Sequence, residues 1–157
     1  MKNKPALTHD DVVRILAHAR AEAQANQWAV TIAVVDDGGH PMALDRLDGA
    51  APVSSYIATE KARTASMGRR PSGAYEEMIN SGRTSFLSAP LTAMLEGGVP
   101  IVVDGQVVGA VGVSGVKSAQ DAQVATAGAA SVVAPPADSG MIGERPAFAE
   151  SRPGQLT

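Results

Sequence analysis

Apolar positions between residues 10 and 26 recur at helical spacing. Val12, Ile15, Leu16, Ala19 and Ala23 share one face, while Asp11, Arg14, His18 and Glu22 share the opposite one. That period predicts an amphipathic helix. Thr8 stands as its N-cap and Asp11 as the acid of a capping box. The polar face is either a solvated surface or one where His18 meets a ligand or a neighbouring subunit. The pattern then changes. Residues 28–35 are rich in β-branched side chains, and Asp36-Asp37-Gly38-Gly39 follows as a hairpin turn. Residues 40–47 form the return strand. Met42, Leu44 and Arg46 lie on one face, with Ala43, Asp45 and Leu47 on the other.

Pro52 stands at the start of a second helix that runs to about residue 67, where its missing N–H costs nothing. Gly68 is expected to stop it. Pro71 and Ser72 open a short third helix through residue 80, broken by Ser81-Gly82. Residues 83–96 carry Phe86, Leu87, Leu91, Met94 and Leu95 but are interrupted by Pro90. They predict a partly ordered loop with its apolar side chains turned inward. Residues 99–103 form a third strand, Asp104-Gly105 a second hairpin turn, and residues 106–113 a fourth strand. Gly109 and Gly112 in that strand permit close backbone approach. Ser118 is expected to cap a last, alanine-rich helix with Asp121 three positions on, ending before Pro135-Pro136.

Hairpin-joined strands with helices around them predict an α+β fold: an antiparallel sheet of about four to five strands flanked by helices. The domain spans residues 1–133. Residues 134–157 form a Pro/Gly-rich extension whose apolar anchors, Met141, Ile142, Phe148 and Leu156, suit wrapping a neighbouring subunit or covering a pocket.

Composition narrows the function. The chain has 157 residues, 45% of them hydrophobic, which suits one core. Aromatics make up 3%, so that core is aliphatic. The net charge of −3 comes without a basic stripe, which argues against nucleic acid. The absence of Cys excludes disulfides, thiolate metal sites and Cys nucleophiles. No apolar run is long enough to span a bilayer, and Met1 to Pro5 are not followed by an apolar signal segment. A cytoplasmic location is expected.

No Walker loop, HExxH, nucleophile elbow or dinucleotide fingerprint is present. Gly97-Gly98, before a strand, is either a plain turn or a place where backbone N–H groups converge on a carboxylate. Glu96 beside it is either a pocket acid or a solvated carboxylate. Arg63 and Glu60 stand three apart on the second helix, either as a surface ion pair or with one charge of the Glu60–Lys61–Arg63 group turned into a pocket. Tyr56, one turn before Glu60, either packs or forms an acid–base pair with it. Either Asp45 or Arg46 faces the helices; if it is Arg46, walled by Met42 and Leu44, it offers a floor for an aromatic acid, with Arg83 to Phe86 as a lid. His9, His18 and His40 are scattered, and no metal site is predicted from them.

Three segments in order carry a resemblance: Ile32 to His40, then Glu60-Lys61-Ala62-Arg63-Thr64, then Gly97 to Gly105. Over residues 7–133 the chain resembles the GlcG/HbpS family of small bacterial domains. That implies a profilin-like or PAS-like sheet and a homo-oligomer, from dimer to octamer. Residues 82–90 and 94–98 look like the family's 4-hydroxylaminobenzoate lyase branch. This branch converts its substrate to 3,4-dihydroxybenzoate and ammonia without a cofactor. The reaction needs an acid to help the N–OH oxygen leave, and a carboxyl with a raised pKa serves. The implied site has Glu96, Glu60 and Tyr56 as catalytic groups. Arg46, Arg63, Arg83, Phe86, Gly97 and Gly98 bind a small aromatic carboxylate. The alternative is a haem- or corrinoid-binding accessory protein without catalysis, with His18 or His40 as haem ligand.

Overall fold

The computed structural model describes residues 1–133. The extension from residue 134, with its suggested contacts, lies outside the described residues. Nine elements follow in order: α1 (His9–Ala25), β1 (Thr31–Asp36), β2 (Pro41–Arg46), α2 (Val53–Gly68), α3 (Ser72–Asn80), a 3-10 turn (Thr84–Ser88), β3 (Gly98–Val103), β4 (Gln106–Ser114) and α4 (Ser118–Val133). The four strands make one antiparallel sheet in the order β2-β1-β4-β3. The fold is α+β.

α1 begins where the capping box places it. The Asp11 amide donates to the Thr8 hydroxyl, and the Thr8 amide donates to the Asp11 carboxylate. Its buried stripe, Val12, Ile15, Ala19 and Ala23, packs with Val124 and Ala125 of α4 over Ile32, Val34, Val111 and Val113. The other sheet face is thinner. There Ala62 and Ala65 of α2 pack on Val35 and Ala110.

That thinness has a cause in two glycines. Gly98 and Gly112 pair across β3 and β4. A Cβ on Gly98 would lie 2.2 Å from the Lys61 carbonyl oxygen, and one on Gly112 2.0 Å from that of Ala58. Only glycine lets α2 lie this close to the sheet.

Three local expectations need correction. Gly68 does not stop α2. It remains helical, and Arg69 closes the helix in the left-handed conformation at φ 57°. Gly68 instead makes room for Tyr75, whose hydroxyl a Cβ there would meet at 2.2 Å. Residues 83–96 do not turn all their apolar groups inward: Met94 is buried, but Leu87 and Leu95 are exposed. The same segment contains a 3-10 turn, which the pattern interrupted by Pro90 concealed. Asp121 does more than serve a helix start, as described below.

Candidate functional site

A cleft of about 690 Å³ opens between α3, α4 and the start of β3. Glu76, Glu77 and Asn80 form one wall, Ala122 and Thr126 the other, and Glu96-Gly97-Gly98 the floor. The Glu96 amide donates to the Glu76 carboxylate at 2.6 Å. A second, more apolar cleft of about 460 Å³ lies on the far side of Glu76 and Asn80, lined by Ile79, Leu87, Leu91, Met94 and Leu95.

Beneath Gly97 lies a buried ion pair. The Lys61 ammonium donates to Asp121 Oδ2 at 3.0 Å and to the Val113 carbonyl at 3.1 Å. The two side chains keep only 4% and 3% of their exposure. Asp121 Oδ1 accepts the Val116 amide at 3.2 Å. Burial pushes the Asp121 carboxyl above its ordinary value, and the bonds from Lys61 only partly offset that. A Cβ on Gly97 would stand 2.8 Å from Lys61 Nζ, so this glycine is the thin wall between the pair and the cleft.

The double glycine is therefore a packing device. The Gly98 amide donates to Ser72 Oγ at 2.8 Å, so it is not open to a carboxylate. Glu96 is half-buried and does line the cleft. The charged lining of the cleft is Glu76, Glu77 and Glu96, with no arginine among its residues. That field opposes an anionic substrate.

The other predicted site residues lie elsewhere. Glu60 accepts from Arg63 Nη1 at 3.0 Å and from the Thr92 hydroxyl, so both its oxygens are engaged and neither bonds to Tyr56. Tyr56 is 77% exposed, so it does not pack in the core of the chain either. Arg46 is exposed on the open edge strand β2. Arg83 stacks over the Phe86 ring at 4.6 Å and borders a separate shallow hollow of about 200 Å³. The structure thus brings Glu96, Gly97 and Gly98 together, and leaves Glu60, Tyr56 and Arg63 on the outer face of α2. Lys61, Asp121, Ser72 and Glu76 complete the cleft and its floor. Spacing along the chain offered no signal for the long-range pairs among them.

Two of the three histidines, His18 and His40, are anchored on one side. His18 is exposed on α1, with Nδ1 2.9 Å from the Arg14 carbonyl. A carbonyl only accepts, so Nδ1 is the donor in this bond; in the neutral ring that tautomer leaves the lone pair on Nε2. His40 is 80% exposed, and its Nδ1 lies 3.1 Å from both oxygens of Asp36. Partial burial raises Asp36, but the amides of His40 and Gly38 and the His40 ring outweigh it, holding the carboxyl below its usual range. Neither histidine lines the α3–α4 cleft. Among the described residues no cluster of three His, Asp or Glu could hold a metal ion. No helix of the described residues is long and apolar enough to cross a membrane.

A family model described as "Haem degrading protein HbpS-like" matches residues 7–130. The chain belongs to the HbpS-like family. Protein GlcG of Escherichia coli K12 is 59% identical over 114 residues, covering 73% of this chain and 85% of that protein. HbpS of Streptomyces reticuli, solved as a double mutant, superposes with a TM-score of 0.75 at 32% identity, covering 83% of this chain and 89% of that one. PduOC, solved as a complex with heme, superposes with a TM-score of 0.72 at 27% identity, covering 81% and 95%. Both superpositions show that these proteins share the fold described above.

Proposed function

We propose that this protein is a haem-binding accessory protein of the HbpS-like family, without catalysis of its own, working as a homo-oligomer. The observation that carries the reading is the pair of exposed histidines with engaged Nδ1 atoms, His18 on Arg14 and His40 on Asp36. A hydrogen bond at Nδ1 sets the tautomer, orients the ring and raises the basicity of Nε2, the usual preparation of a ligating imidazole. A histidine nitrogen of this kind is one of the axial ligands that hold haem iron, beside Cys, Met and Tyr, and the visible absorption reports which ligand is bound. The family description and the heme complex of PduOC support the same partner. His18 is the first candidate, because its ring is held by a backbone carbonyl on a regular helix. His40 is the second.

A 4-hydroxylaminobenzoate lyase has less support. The cleft holding Glu96 is acidic, and Arg46, Arg63 and Arg83 stand outside its lining. Titrating the full chain with haemin tests the proposal. A saturable Soret change at one haem per chain is expected. A featureless, non-saturating titration, together with ammonia release from 4-hydroxylaminobenzoate, overturns it in favour of the lyase.

A further inference from the structure

Residues 83–96 present an apolar surface that the rest of the described domain does not cover. Leu87 is 66% exposed and Leu95 44%. With Ile79, Leu91 and Met94 they line the cleft of about 460 Å³ beside Glu76 and Asn80. Large apolar side chains gathered in a concave place mark an interaction site, because covering them is favourable. The charge beside the cleft narrows the occupant. Arg83 immediately precedes the 3-10 turn that carries Leu87. Its guanidinium lies over the Phe86 ring, and it has no carboxylate partner among the described residues. A fitting occupant carries large apolar residues with an acid close behind them.

We propose that this cleft is the seat of the chain's own C-terminal extension, with Met141 and Ile142 against the apolar lining and Glu144 on Arg83. The extension has the required order: Gly140-Met141-Ile142-Gly143-Glu144 sets two large apolar residues between glycines, with the acid two positions on. The glycines let the backbone approach the cleft wall, and a glutamate meets a guanidinium with two parallel hydrogen bonds. The length of chain also suits. α4 ends at Val133, about 10 Å of helix beyond Thr126 on the wall of the acidic cleft. The acidic cleft and the apolar one share Glu76 and Asn80. Residues 134–141 reach at most about 28 Å when extended, enough to turn back along α4 and cross the acidic cleft. Tethering holds the extension at an effective concentration of about a millimolar, so a contact too weak between separate molecules suffices. The family model matches residues 7–130, so this occupant lies outside the family match. Seated there, the extension pins residues 84–95 against α3.

The chain has no cysteine, so a pair placed by substitution reports proximity cleanly. Full-length chain carrying Leu91→Cys and Ile142→Cys is oxidised with glutathione disulfide and followed by non-reducing electrophoresis. The control joins Ile142→Cys to Val102→Cys, an exposed position on β3, the strand α4 packs against. The Leu91 pair is expected to close within one chain at least about tenfold faster than the control, since a seated partner exceeds the concentration that tethering alone gives. A second measurement needs no cysteine. Met141→Asp with Ile142→Asp in the full chain is expected to speed amide hydrogen exchange across residues 84–95 about tenfold, while β1 and β4 keep their protection. A Leu91 pair that closes no faster than the control overturns the proposal. So does a disulfide that joins two chains, and so does exchange across residues 84–95 that the two aspartates leave unchanged.

Discussion

Lys61 and Asp121 meet 3.0 Å apart in the core, tying the middle of α2 to the first turn of α4. Removing one partner of such a pair strands the other charge, whereas removing both leaves a smaller penalty. Lys61→Met is therefore expected to cost about 3–5 kcal/mol. Lys61→Met with Asp121→Asn, which keeps an acceptor for the Val116 amide, is expected to recover most of it. Urea unfolding measures both.

The same pair has a pH signature. Asp121 has a raised pKa in the folded chain, mainly through burial. Its contribution to stability is fully present below the unfolded carboxylate value and is lost as pH rises through the folded value. Without Lys61 the folded value climbs further. The deficit of Lys61→Met is thus expected to grow from acid pH toward neutrality. A deficit independent of pH between 4 and 7 (roughly the span over which a raised carboxyl titrates) would show that Asp121 does not feel Lys61.

Gly98→Ala and Gly112→Ala each push a methyl into a backbone carbonyl of α2. Each is expected to cost about 1–3 kcal/mol or more, because the helix must lift off the sheet. The double variant is expected to be less than additive, since one lifting of α2 relieves both clashes. Thermal unfolding of the three variants decides this.

At the N-terminus, the bonds from Thr8, the backbone amide first, hold the Asp11 carboxyl below its usual range. Here the sign is opposite to that of Asp121. The stability is present above the unfolded carboxylate value and lost as pH falls through the depressed one. Thr8→Ala is expected to cost about 1 kcal/mol at neutral pH and less in acid. Equal losses at both pH values would show that the Thr8 hydroxyl does not contribute to the depressed Asp11 value, since the cap bond from the Asp11 amide does not titrate.

Much of the fold was legible in local pattern. The capping box at Thr8 and Asp11 started α1 within a residue of the expected place, and the Asp-Gly turns placed both hairpins. The close approach expected at Gly112 is present and explains how α2 packs. The site was less legible. Neighbouring charges on a helix look alike in sequence, yet Lys61 faces the core while Glu60 and Arg63 face outward. Three residues along α2 turn a side chain to nearly the same face, but one residue turns it by about 100°. Only the position of the sheet decides which charge is buried. Gly97-Gly98 resembled an anion nest because the hydroxyl that occupies the Gly98 amide, Ser72, comes from another helix.

The most direct test of the haem reading is the ligand exchange itself. Purified chain is loaded with haemin, and the Soret and visible bands are compared for wild type, His18→Ala, His40→Ala and the double variant. The account predicts a histidine-ligated spectrum in wild type that one single variant and the double variant lose, while the circular dichroism stays native. A wild-type chain with the spectrum of free haemin, or a double variant that keeps the wild-type spectrum, would contradict it.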